Sequence, residues 1–225
     1  MGGSGSFPID IVLFAMIAAF LVLRLRGVLG RRQGFERPPE AVQPDAAGPA
    51  AGPRTDGLVI DAVAEPVRSR DLPDPASPIG QALAGMAAID HNFQPARFLD
   101  GAEGAFRIVV TAFAGGDRSA LRPLLSPETY SAFDGAISAR EAAGEAQRTE
   151  IRAIGATTID HAALRGTTAD ITVRFVTDQV NITLGRNSQP VAGTDAVTEI
   201  TDLWTFERDL ATADPAWRLV AARSA

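Results

Sequence analysis

An uninterrupted apolar run from Ile11 to Leu23 is followed at once by Arg24, Arg26, Arg31 and Arg32. With Phe7 and Ile9 ahead and Leu25 behind, the stretch approaches the roughly 17–25 residues that a tilted transmembrane helix needs. Asp10 borders one edge, and Arg24 can carry its charge to the headgroups along its aliphatic stem. A secretory signal puts positive charge before its apolar run and small residues after it. Here the charge comes after, and Leu-Arg-Leu-Arg occupies the place of a cleavage site. An interfacial helix would show a polar face, and this run has none. Residues 1–30 are therefore read as a single-pass membrane anchor.

The arginines also set a direction. None precedes the apolar run, so the positive-inside rule puts the N-terminus outside and everything after Arg24 on the cytoplasmic side. The expected location is the inner (plasma) membrane, with the C-terminal domain cytoplasmic. Arg24, Arg26, Arg31 and Arg32 form a membrane flank that favours anionic lipid headgroups.

Residues 31–78 read as a disordered linker. Pro38, Pro39, Pro44, Pro53, Pro66, Pro73, Pro75 and Pro78 forbid a continuous helix, and low hydrophobicity denies the stretch a core. One apolar island, Leu58 to Val63, is either a docking strand or an inert interruption.

Residues 79–225 are enough for one ordinary domain with a real core. The chain has no Cys, which removes disulfides, thiolate metal sites and a cysteine nucleophile. All 21 basic residues are Arg, which removes the lysine of a phosphate loop and Schiff-base chemistry. Net charge is −6, with the excess of acid in the linker and domain, so a nucleic-acid partner is not expected. No motif calls for a metal or cofactor.

The domain opens with helical periodicity. Ile79, Leu83, Met86, Ile89 and Phe93 fall on one face. A second helix starts near Pro95 with Phe98, Ala102, Ala105, Phe106, Val109 and Phe113 as its stripe, and Gly115-Gly116 end it. A short helix covers 117–125. Ser126 caps another, with Pro127 at its first position, that runs towards Gln147. The period then becomes two. A strand is expected over Ile151–Ile154 and Thr157–Leu164, another over Ala169–Val176, a loop over Gly185–Gly193, a third strand over Ala196–Arg208 and a fourth over Trp217–Ala221. Helices first and strands afterwards imply an α+β domain, helices packed on one face of a curved antiparallel sheet.

Several segments together resemble the Tim44-like domain family. They are Phe98-Leu99-Asp100-Gly101-Ala102, Ala105-Phe106, Ala112-Phe113, Gly116-Asp117, Leu121 to Leu125, Ile137 with Arg140-Glu141 and Gly144-Glu145, and Ile171 to Phe175. The most specific are Asp202-Leu203-Trp204-Thr205-Phe206-Glu207-Arg208-Asp209 and Asp214-Pro215-Ala216-Trp217. Ala216 stands where the family often has Asn. The anchor and acidic Pro-rich linker resemble those of alphaproteobacterial members. The resemblance implies a cone shared with NTF2-like proteins and a non-enzymatic role. A mitochondrial relative is a peripheral inner-membrane adaptor that recruits a heat-shock chaperone to a protein import channel, and another belongs to the mitochondrial ribosome. This chain lacks the long basic N-terminal segment through which the chaperone is bound.

The leading expectation is an adaptor that holds a protein partner at the membrane, in protein translocation or membrane-protein biogenesis, with Phe98, Phe106, Phe113, Phe175, Trp204, Phe206 and Trp217 shaping a groove or filling the core. The alternatives are lipid or small-molecule binding in the cone and, behind them, a cone-fold enzyme using Asp160-His161, Asp170 or Asp202. Asp160 and His161 are neighbours on a strand and are expected on opposite faces. Asp202, Glu207 and Arg208 are expected in strand-end ion pairs.

Overall fold

The computed structural model describes residues 71–225. The expected anchor, its arginine flank, nearly all of the linker and the Leu58–Val63 island lie outside the described residues. No helix among the described residues is long and apolar enough to cross a membrane.

Four helices come first. Helix α1 spans Pro78–Ile89, α2 Pro95–Gly115, α3 Arg118–Leu121 and α4 Pro127–Ala143. Their starts follow local chemistry. Ser77 Oγ accepts from the Gly80 N–H at 3.0 Å, Asp117 accepts from Ser119 and Ala120, and Ser126 Oγ accepts from Thr129 at 3.2 Å. Each satisfies a donor that the first turn leaves open. Helices α2 and α4 end at Gly116 and Gly144, both left-handed at φ 71° and 70°, where a side chain would be strained.

Three helix expectations are corrected; the short helix expected over 117–125 closes at Leu121. Helix α1 stops at Ile89, and Phe93 stands in the turn after it. The Asp90 carboxylate accepts from the Asn92 N–H at 2.9 Å, a local bond that competes with helix continuation. Helix α4 stops at Ala143, short of Gln147. Arg186, in the β2–β3 hairpin turn, donates to the Ala142 and Ala143 carbonyls at 3.0 and 2.9 Å, and a Cβ on Gly144 would collide with it.

The sheet is an antiparallel meander in the order β1-β2-β3-β4: β1 Ala146–Arg165, β2 Thr168–Leu184, β3 Pro190–Asp209 and β4 Arg218–Ser224. Strands β1, β2 and β3 are longer than expected, β2 running on past Val176 to Leu184. The Ile151–Ile154 and Thr157–Leu164 segments are one strand with register shifts at Ile151/Ala153, Ile154/Ala156 and Ile159/His161. Bulges of this kind bend a strand without ending it, and they curve the sheet around the helices. The expected Gly185–Gly193 loop shrinks to a tight turn because Thr183, Ile182 and Asn181 pair with Ala192, Gly193 and Thr194. Strand β4 joins the second half of β3 only, and its outer edge is met by Leu125 opposite Leu219.

The inner face of the sheet changes character along β2. Ile171, Val173 and Phe175 are followed by Thr177 and Gln179, all buried. The apolar half packs on α2 through Leu99, Ala102, Phe106, Val109 and Phe113. The polar half carries a hydrogen-bond relay. Arg140 donates to Gln147 (2.7 Å), Gln147 to Thr149 (3.3 Å), Thr149 to Asn181 (2.6 Å), Asn181 to Gln179 (3.3 Å), and Gln179 to Thr177 (2.7 Å). Arg140 also donates to the Phe113 and Ala114 carbonyls at 2.7 and 3.2 Å. It thereby satisfies the orphan acceptors at the end of α2, where positive charge is also favoured by the helix dipole.

Candidate functional site: an aromatic cleft at the end of the first helix

The seven aromatic residues singled out in the sequence divide into two groups. Phe106, Phe175 and Trp204 form a closed stack, with Phe106 4.5 Å from Phe175 and 4.6 Å from Trp204. Phe113 packs edge-on against Phe133 at 5.1 Å. These four are core. Trp204 is 1% exposed, and its Nε1 has no hydrogen-bond acceptor among the described residues.

Phe98, Phe206 and Trp217 instead border a cleft of about 860 Å³. That volume is within the range of small-ligand pockets. Trp217 lies 4.8 Å from Phe98 and 5.8 Å from Phe93, and Phe98 lies 5.9 Å from Phe206. The four rings make the floor. One wall is α2, which presents Arg97, Phe98, Gly101, Ala102 and Ala105 along one helical face. The rest comes from Ile89 to Gln94 after α1, from Pro123 and Leu124, and from the β3–β4 turn at Leu210, Thr212, Ala213 and Pro215. Trp217 is half-buried, and Ile89 and Arg97 are exposed.

One ion pair fixes this geometry. Arg208 Nη1 donates to Asp90 Oδ2 at 2.9 Å, with only 12% and 13% of the two side chains exposed. Arg208 Nε also donates to the Asp214 carbonyl at 3.1 Å. A single guanidinium thus ties the end of α1 to the β3–β4 turn across the cleft. The Asn92 N–H and the Arg208 guanidinium hold the Asp90 carboxyl below its ordinary range.

The remaining polar candidates do not converge here. Asp160 and His161 are both exposed, not split between the faces, because the shift at Ile159/His161 breaks the alternation. Asp160 accepts from Arg174 at 3.1 and 2.6 Å. Asp202, expected beside Glu207 and Arg208, is fully buried on the inner face and accepts from Ser224 Oγ at 3.2 Å. Glu207 faces Asp170 directly across β2 and β3, with Arg165 2.5 Å from Asp170 and 4.0 Å from Glu207. Burial and then the neighbouring Asp170 carboxyl push the Glu207 carboxyl up. Among the described residues no group of three or more His, Asp or Glu is placed to hold a metal ion.

Sequence reasoning missed Phe93, Arg97 and the Asp90–Arg208 pair as parts of one site. The spacing from Ile79 puts Phe93 on a helical face. The local signal was Asp90-His91-Asn92, a turn-forming run, but the pair spans two distant segments and had no signal.

No curated protein matches the chain in sequence. Among solved structures it is similar to the intermembrane space region of the chloroplast protein ARC6, at 10% identity, covering 59% of this chain and 97% of that one with a TM-score of 0.44. It is also similar to a putative dehydratase of the NTF2-like family from Streptomyces avermitilis, at 14% identity, covering 58% and 97% with a TM-score of 0.35. Likeness at this level concerns the path of the chain and nothing of its chemistry. A family model described as the Tim44-like domain matches residues 79–224. Such domains point in general to a membrane-associated, protein-interacting role. Because the match spans well over half of its length, the chain belongs to the Tim44-like domain family.

Proposed function

We propose that the protein is a non-enzymatic adaptor, held at the inner membrane by residues 1–30, whose folded domain seats a segment of a protein partner in the aromatic cleft. The observation that carries this reading is the cleft itself. Its floor opens to solvent at Trp217, which lies over the buried rings of Phe93, Phe98 and Phe206, while the chemically similar stack at Phe106, Phe175 and Trp204 is sealed throughout. Exposed apolar surface is what partner binding uses, and tryptophan is enriched among binding hot spots. Asp90 and Arg208 are engaged on each other in bracing the cleft, and the His91 ring nitrogen lies 3.2 Å from the Ala87 carbonyl.

The anchor gives the domain a location and residues 31–78 give it reach. Arg24, Arg26, Arg31 and Arg32 would hold anionic headgroups on the cytoplasmic side. A partner in protein translocation or membrane-protein biogenesis fits a domain tethered there.

The test is site-specific photocrosslinking in native membranes, with the reactive group at Thr212 on the cleft wall and, as a control, at Val197 on exposed β3. A reproducible protein partner captured from Thr212 and not from Val197 is the expected result. Lipid alone at Thr212 sinks the adaptor reading.

A further inference from the structure

Charge around the cleft has the opposite sign to the domain. Residues 79–225 carry more acids than arginines, whereas the cleft wall holds Arg97 and Arg208 against the single carboxylate of Asp90. Most arginines of the domain are neutralised by a carboxylate: Arg118 by Asp134 and Glu141, Arg165 by Asp170, Arg174 by Asp160 and Arg218 by Asp214. Asp90 is spent on Arg208 in the same way. Arg97 differs. It is exposed, stands one residue before Phe98 of the floor, and forms no ion pair among the described residues.

A cation beside an apolar floor discriminates among visitors by charge. With Arg208 committed to Asp90, one guanidinium is left, which matches one carboxylate. An anionic lipid surface is held by clusters of basic residues, which a single guanidinium does not supply. We infer that the cleft selects an acidic–apolar peptide segment of the partner, with a bulky side chain seated among Phe93, Phe98, Phe206 and Trp217 and an Asp or Glu of the same segment paired with Arg97. This deepens the adaptor reading and rests on it.

The probe is a random peptide display library selected against the full chain in detergent, in parallel with Arg97→Glu and Gly101→Trp. A Cβ at Gly101 meets nothing within 4 Å, and the residue lines the cleft, so the indole is directed into the cleft, and equal melting temperatures show that both variants fold. Selected peptides are expected to carry Asp or Glu next to an aromatic or large aliphatic residue, enriched about threefold, the size an exposed ion pair supplies. Selection on Arg97→Glu turns the preference to Lys and Arg, and Gly101→Trp removes selection. Peptides without acidic enrichment, or the same peptides on Arg97→Glu, overturn the charge selection. If those peptides are still lost on Gly101→Trp, the cleft keeps its adaptor role and only the inference falls. No selected peptide, with phosphatidylglycerol vesicles bound and released on Arg97→Glu, assigns the cation to lipid and also overturns it.

Discussion

Two aromatic clusters about two α2 turns apart have opposite fates. The stack of Phe106, Phe175 and Trp204 is sealed between α2 and the middle of the sheet, with none of the three more than 1% exposed. The cluster of Phe93, Phe98, Phe206 and Trp217 has the same chemistry and opens to solvent at Trp217. Composition does not separate them. What separates them is cover. The middle of the sheet is covered by the body of α2, whereas the far end has only the first turns of α2, the turn after α1 and the β3–β4 turn, braced by Arg208. An aromatic residue is core or binding surface according to what lies above it.

The largest expected effect tests that division. Trp204→Ala removes a sealed ring and should cost about 3–5 kcal/mol in chemical denaturation. Trp217→Ala removes a ring already half in water and should cost about 1–2 kcal/mol while abolishing capture of the partner. Trp204→Phe should recover most of the loss, because the indole Nε1 has no acceptor to forfeit among the described residues. Equal costs for the two alanine variants would break the contrast between core and cleft.

A smaller effect sharpens it. Gly101 faces the cleft, and space surrounds its missing Cβ. Gly101→Ala should therefore stabilise the domain by about 0.5–1 kcal/mol through helix propensity alone, read as a raised denaturation midpoint, and should leave binding nearly intact. A loss of stability would mean that the α2 wall is packed there and the cleft is narrower than its geometry states.

How much of this was legible follows from the range of each interaction. Ser126 with Pro127, Pro95 and Gly116 announce helix ends because capping is settled within a few residues. The alternation of Ile171, Val173 and Phe175 announces a half-buried strand. Gly144 was passed over because its left-handed cap is enforced partly by Arg186, more than forty residues away. The bulges of β1 were invisible because each depends on the register of β2. Trp204 and Trp217 read alike for the same reason, since exposure is decided by segments distant in sequence. Arg97 gave no sign at all, because a charge on a helix face is ordinarily only solvated.

The smallest expected effect concerns the opposite wall of the β3–β4 turn. Burial and the facing Asp170 carboxyl raise the Glu207 carboxyl above its ordinary 4.5. A raised carboxyl binds its proton more tightly folded than unfolded, so its ionised form costs stability above the folded value, and that cost disappears as pH falls below the unfolded one. Glu207→Gln should raise the melting temperature at neutral pH and lose its advantage near pH 4. The gain should stay under about 1 kcal/mol, because water screens a side chain this exposed. Asp90 has the opposite sign. Its lowered carboxyl contributes stability above the ordinary 3.8 that is lost as pH falls through its folded value. Acid should thus loosen the brace across the cleft while relieving the Asp170–Glu207 pair. Melting curves of the wild type, Glu207→Gln and Asp90→Asn from neutral pH downwards separate the two. A Glu207→Gln advantage that grows with acid would reverse the assignment at the Asp170–Glu207 pair, and an Asp90→Asn deficit that persists undiminished at low pH would show that Asp90 holds the cleft by shape and not by charge.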